Sequence, residues 1–180
     1  MSGKDSLSLS YEFVKTILED NEGYIWVGTS RGLNKLHVKS GIIRKFIKVP
    51  DEENKPRNLN VNNLYEDSRG NLWIEARNGL YLYKNGKLEP YYLKSGGKDL
   101  TAVWIRAMHE DSKGDLWIAT EQSGVFLLNY ETGEIINYTH EKHNKNSLIN
   151  NRVRTIFEDW DGRIWFGTRE GLSIFDPGTN

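Results

Sequence analysis

The chain has no cysteine, which removes disulfide bonds, thiolate metal sites and a cysteine nucleophile together. No uninterrupted apolar run exceeds the four residues seen at Val125 to Leu128, far short of the roughly 20 that a membrane-spanning helix needs. Neither sign of charge prevails: 24 basic residues stand against 25 acidic ones, for a formal charge of −1. That balance, with no RRM or zinc-finger pattern, argues against general nucleic-acid binding. A Ser/His/Asp arrangement, a paired-carboxylate motif and a Walker loop are also missing, so no catalytic residue and no cofactor is assigned. Asp159-Trp160-Asp161-Gly162 has the opening of a calcium loop without its later ligands, and no metal is assigned to it. His140 and His143 stand in a loop without an acidic cluster and are read as surface histidines.

What the chain does have is a sentence written four times. VKTILEDNEGYIWVGTSRGL begins at Val14, VNNLYEDSRGNLWIEARNGL at Val61, IRAMHEDSKGDLWIATEQSGV at Ile105 and VRTIFEDWDGRIWFGTREGL at Val153. The tryptophans Trp26, Trp73, Trp117 and Trp165 therefore lie 47, 44 and 48 residues apart. A period in the forties indicates a repeat architecture. Inside each unit, short β-branched and aromatic stretches alternate with turns, the first being Asp-x-x-Gly at Gly23, Gly70, Gly114 and Gly162. The third turn carries Ser40-Gly41, Asn85-Gly86 or Thr132-Gly133. This predicts four antiparallel strands per unit, joined into one small sheet.

Such a sheet has apolar residues on both faces and needs a neighbour on each side. The expected architecture is all-β: blades of a β-propeller, with the first strand innermost, where Thr16, Asn63, Ala107 and Thr155 are small enough to fit. The four tryptophans become wedges between blades. Residues 1–180 form one propeller region, with repeats at about 14–47, 61–93, 105–138 and 153–176. The linkers are 1–13, 48–60, 94–104 and 139–152. Of these, 48–60 is expected to be a solvated loop, and 94–104 another around Gly96-Gly97. The fourth unit ends before an outer strand. Its open edge and the uncovered faces of the terminal blades call for a four-blade ring, pairing of two chains or loss of order at the ends, and self-association is the expectation.

The pattern ED-x-x-G-x-[IL]-W-[IVF]-x-[TA], followed by a turn and Gly-[LV], resembles the regulator-propeller repeat of bacterial two-component sensor kinases and hybrid sensors. Asn146-Ser147-Leu148 and Asp176-Pro177-Gly178-Thr179 match the joints of that family, and the likeness runs from Ser6 onward. It implies a non-catalytic propeller on the periplasmic or extracellular side of a membrane-anchored receptor, sensing a carbohydrate or other small molecule. Export signal, membrane helix and kinase would then lie outside this sequence, and the rest of the receptor would be its partner. Two alternatives stay open: a propeller lyase or glycoside hydrolase, because streptogramin lyases use a similar Gly-x-[IL]-Trp-Phe core, and a structural interaction module.

Strand order places the Asp-x-x-Gly turns on one side of the propeller and everything that varies on the other: Ser30-Arg31, Arg77-Asn78, Glu121-Gln122-Ser123, Arg169-Glu170 and the long joints. Variable loops on a constant scaffold are where binding surfaces are usually built. The candidate ligand-binding residues are Arg31, Glu75, Arg77, Trp104, Arg106, Glu121, Gln122, Arg152, Arg154 and Arg169. Glu75 stands where the other repeats have Gly28, Ala119 and Gly167, and is expected either to pair with Arg77 or Arg106 or to meet a ligand. Trp104 either stacks on a sugar or packs under a loop. Arg106, Arg152 and Arg154 form either a basic lip for an anion or solvated strand ends. Trp160 is expected to be an exposed contact.

Overall fold

The computed structural model describes residues 8–50, 56–77, 79–95, 98–99 and 104–178. Asn78, Gly96-Gly97 and Thr179 of the sequence reading lie outside the described residues. Every regular element among those described is a strand, and the chain divides into two compact units, Met1–Tyr92 and Leu93–Asn180.

The first unit holds two sheets of four antiparallel strands. One runs β1 (Val14–Glu19), β2 (Tyr24–Thr29), β3 (Gly32–His37) and β4 (Ile42–Phe46) in spatial order. A two-stranded ribbon, β5 (Lys48–Pro50) and β6 (Pro56–Asn58), leads to the second sheet: β7 (Val61–Glu66), β8 (Leu72–Ala76), β9 (Gly79–Lys84) and β10 (Lys87–Tyr91). The second unit begins with a minimal ribbon of β11 (Lys94–Ser95) and β12 (Lys98–Asp99). It continues with β13 (Ile105–Glu110), β14 (Leu116–Thr120), β15 (Val125–Leu128) and β16 (Ile135–Tyr138) as a four-stranded sheet. Its other sheet has three strands, β17 (Val153–Glu158), β18 (Ile164–Thr168) and β19 (Gly171–Phe175). The expected propeller blades are therefore present, the last one without an outer strand. The free edge of β19 lines an open groove of about 1060 Å³ with linker residues His140 to Ile149.

The Asp-x-x-Gly turn is built by its aspartate. In the first blade Asp20 Oδ1 accepts the amides of Glu22 at 3.1 Å and Tyr24 at 2.8 Å, while Oδ2 accepts the indole N–H of Trp26 at 2.7 Å. Asp67, Asp111 and Asp159 hold Trp73, Trp117 and Trp165 in the same way at 2.8, 2.7 and 2.7 Å. Glycine is required at the turn's end, where φ is +80, +73, +83 and +76° at Gly23, Gly70, Gly114 and Gly162. In the last blade Arg163 also holds Asp159 and Asp161, each at 2.8 Å, so these two carboxylates are occupied by a guanidinium. The Trp165 indole, the Arg163 amide and the Arg163 guanidinium together keep the Asp159 carboxyl at about 2, against the opposing effect of desolvation.

Indole rings fixed in this way act as the wedges that the repeat predicts. Trp26 is buried, with its ring 4.6 Å from that of Tyr83 in the next blade. Trp117 lies 5.5 Å from Phe166 and 5.1 Å from Phe175, again in the next blade. Trp73 is buried against Tyr91, with centroids 4.8 Å apart. Trp165 is only half-buried. A second tie crosses each blade pair at the same repeat position. Glu66 Oε2 accepts the Asn21 amide at 3.0 Å in the first unit, and Glu158 accepts the Ser112 amide at 2.9 Å and its hydroxyl at 2.6 Å in the second.

The linkers require a correction. Residues 48–60 are not simply a solvated loop: Val49 and Leu59 are buried in the core between the first two blades, with Trp26, Leu33 and Leu64. An extended segment alternates its side chains, so the apolar ones can turn inward while charged neighbours stay in water. Leu148 does the same between the third and fourth blades, beside Trp117 and Phe166. Residues 94–104 likewise contain the β11–β12 ribbon, whose backbone register sets residue 94 opposite residue 99.

Truncating a wedge that touches two blades should cost far more than truncating one at an open face. Trp117→Ala is expected to lose about 3–5 kcal/mol in urea unfolding, and Trp165→Ala less than half of that.

Candidate ligand-binding rim

Every blade carries the same irregularity at the start of its first strand. The β1–β2 register slips between Val14 and Thr16, and the β7–β8, β13–β14 and β17–β18 registers slip between Val61 and Asn63, Ile105 and Ala107, and Val153 and Thr155. The extra residue of each bulge is Lys15, Asn62, Arg106 or Arg154. Bulges re-aim a side chain and commonly sit at functional edges of sheets.

One backbone bond beyond the bulge then staples the residue before the first strand to the turn after the second. The amides of Ser30, Arg77, Glu121 and Arg169 donate to the carbonyls of Phe13, Asn60, Trp104 and Arg152 at 3.2, 2.9, 2.8 and 3.0 Å. Within each blade, then, the variable turn and the residue before the inner strand form one rim. This accounts for why residues far apart in sequence, such as Trp104 and Glu121, become neighbours.

In the first unit the bulge residues are tied to one another and to a neighbouring carboxylate. Lys15 Nζ donates to Asn60 Oδ1 at 2.7 Å and Asn62 Oδ1 at 2.8 Å, and Asn62 Nδ2 donates to Glu75 Oε1 at 3.2 Å. Glu75 is buried, and its carboxylate is held through this amide in a chain that ends at an ammonium group. Arg31 is exposed, with its guanidinium 4.5 Å from the centroid of the Tyr11 ring. Arg77 is exposed at its staple. Lys15, Asn60 and Asn62 were not among the candidates; the signal that finds them is their repeat position, shared with Arg106 and Arg154 for the bulge and with Trp104 and Arg152 for the staple.

The second unit gathers the other candidates. Trp104 is 57% exposed, so it does not pack under a loop, and the Arg106 guanidinium lies 5.9 Å from its ring centroid. Arg106 Nε donates to Glu121 Oε2 at 2.6 Å. That hydrogen bond, with the charges of Arg106, Arg154 and Arg152 adding to it, holds the Glu121 carboxyl below the usual carboxylate range despite its desolvation. The side chains of Arg152, Arg154 and Arg169 have no hydrogen-bond or ion-pair partner among the described residues. Gln122 is exposed in the adjoining β14–β15 turn. Among the described residues no three His, Asp or Glu side chains converge as a metal site.

Comparison with known proteins follows the same repeat. Residues 8–31, 55–74, 99–122 and 147–170, just over half of the chain, match the two component regulator propeller. The chain belongs to that family. A histidine kinase, P4, of Formosa agariphila is 31% identical over 177 residues, covering 94% of this chain and 12% of the kinase. The extracellular domain assigned to a hybrid two-component system of B. thetaiotaomicron superposes with a TM-score of 0.73 at 28% identity, over 92% of this chain and 22% of that one. The regulator propeller thus spans about an eighth of the curated relative and about a fifth of the solved structure. Virginiamycin B lyase of Staphylococcus aureus matches at a TM-score of 0.59 and 17% identity, over 91% of this chain and 55% of that one, a likeness of fold alone.

The Glu121 carboxylate should titrate below the ordinary value of 4.5 in a carboxyl NMR experiment, and Arg106→Ala should move the midpoint up towards it. Because the folded pKa is depressed, this carboxylate stabilises the fold fully above its unfolded pKa. The contribution fades as pH falls through the folded value.

Proposed function

We propose that this regulator propeller is a non-catalytic ligand-sensing module from the extracellular or periplasmic part of a bacterial two-component receptor, and that its ligand is a carbohydrate or another small polar molecule. The observation that carries the reading is the second-unit rim, where an exposed tryptophan, a carboxylate and arginines without partners among the described residues stand together on a scaffold whose other side is uniform. The family and the relatives in sensor proteins support the cellular setting. Binding would favour one blade arrangement over another, and that preference is what the rest of the receptor would read. Screening the chain by thermal unfolding against an oligosaccharide and small-molecule panel tests this. A ligand at a hundred times its Kd adds about 2.7 kcal/mol of stability, and the hit should be recovered chemically unchanged. A released product would favour the lyase or hydrolase reading instead.

We also propose that chains associate through their terminal blades. Glu66 and Glu158 each cap the turn of the preceding blade, whereas Glu19, at the same position in the first blade, is exposed and has no side-chain partner among the described residues. The complementary turn amide of the last blade, at the fully exposed Trp160, has no partner there either. Around these groups Ile17 is 65% exposed and Leu172 63%. Glu19 of one chain would cap the Trp160 turn of another, burying both apolar faces. Sedimentation should show concentration-dependent association that Glu19→Lys weakens at least tenfold; a monomer at every concentration overturns the proposal.

A further inference from the structure

We propose that the second-unit rim is a site for an acidic saccharide, with Trp104 as the platform for the sugar ring and Arg152 and Arg154 as the partners of its carboxylate. This rests on the ligand-sensing reading and narrows it to one chemical class. Four charged side chains define the site: three arginines at 106, 152 and 154, and Glu121. Only one of the three positive charges is neutralised, because Arg106 is committed to Glu121 through the 2.6 Å hydrogen bond. The other two belong to the fourth blade, at its staple and its bulge, and have no partner among the described residues.

The first unit differs at the bulge, the position that carries Arg106 and Arg154 in the second. At the equivalent bulge positions it places Lys15 and Asn62, and it closes the charge with Glu75 through two hydrogen bonds. The second unit has the same bulges and leaves the Arg154 guanidinium without a partner among the described residues. One carboxylate, Glu121, faces the charges of all three arginines, and a bound anion would offset the repulsion that remains. A guanidinium also meets a carboxylate with two parallel N–H donors, a geometry that water does not reproduce.

The choice of a sugar follows from Trp104. An indole that is 57% exposed, beside polar groups rather than an apolar cavity, offers a flat face of the kind a pyranose ring covers. Glu121 and Gln122 supply acceptors and a donor for ring hydroxyls. Glu121 also holds Arg106, whose guanidinium lies over the indole ring, 5.9 Å from its centroid.

Calorimetry with α-1,4-linked galacturonic acid trimer and with its methyl-esterified, uncharged form tests the assignment, in low salt and again at 0.5 M salt. The acid trimer should bind at least tenfold more tightly than the ester. Arg152→Gln combined with Arg154→Gln should abolish that preference without altering the far-UV spectrum or the unfolding midpoint by more than a few degrees. Trp104→Ala should weaken both trimers together. Glu121→Gln should tighten the acid trimer several-fold, since one competing carboxylate charge is lost. Equal binding of the two trimers that Trp104→Ala removes would overturn the acidic class while upholding the sensing site. Acid binding that vanishes at 0.5 M salt and is indifferent to Trp104 would overturn the site as a diffuse charge effect. Binding of neither trimer would overturn the acidic-sugar assignment, and a hit for another ligand in the wider panel would then keep the sensing reading alone.

Discussion

The regulator propeller depends on one hydrogen bond made four times, from a tryptophan indole to the aspartate six residues before it. A buried indole must find an acceptor, and few other groups lie within reach of a β-hairpin. The aspartate answers both needs of the hairpin: one oxygen closes the turn and the other fixes the ring. With the ring fixed, its plane is offered to the next blade rather than left to rotate, and Tyr83, Phe166 and Phe175 pack against a surface of known orientation. The depressed pKa of Asp159 is the electrostatic counterpart of that double duty, since every donor around it favours the ionised form.

Because the Asp-x-x-Gly side of each blade is committed to structure, the opposite rim is free to differ. The β-bulge and the backbone staple keep the rim's shape constant from blade to blade, and only side-chain chemistry changes. In the first unit that chemistry is neutralised within the protein by Lys15, Asn62 and Glu75. In the second it ends in open guanidinium groups beside an exposed indole. A uniform scaffold with differing rims lets the rim chemistry change without disturbing the core.

Much of this was legible in the repeat itself. Four copies in register gave the strands, the wedge tryptophans, the glycine turns and the missing outer strand of the last blade. Seven of the ten candidate residues fall on one unit's rim, because variability was used to choose them. The Glu66 and Glu158 caps were not legible, since a surface glutamate before an aspartate looks the same whether or not it crosses to another blade. Nor was the burial of Val49 and Leu59, where a charged, proline-containing linker hides two apolar positions. Glu75 was expected to pair with an arginine or to meet a ligand; the structure shows Asn62 donating to it, a residue whose part in the rim only its repeat position reveals.

The sequence by itself determined the period, the turn chemistry and which side of each blade would vary, because these follow from local backbone preferences and from simple repetition. Only the tertiary structure decided which charged side chains would find hydrogen-bond partners. Lys15 meets Asn62 across 47 residues and Glu158 meets Ser112 across 46, while Arg152 and Arg154 meet no hydrogen-bond or ion-pair partner among the described residues. Hydrogen bonding of this kind is a matter of a few ångströms between groups of different blades, a distance that no spacing along the chain encodes.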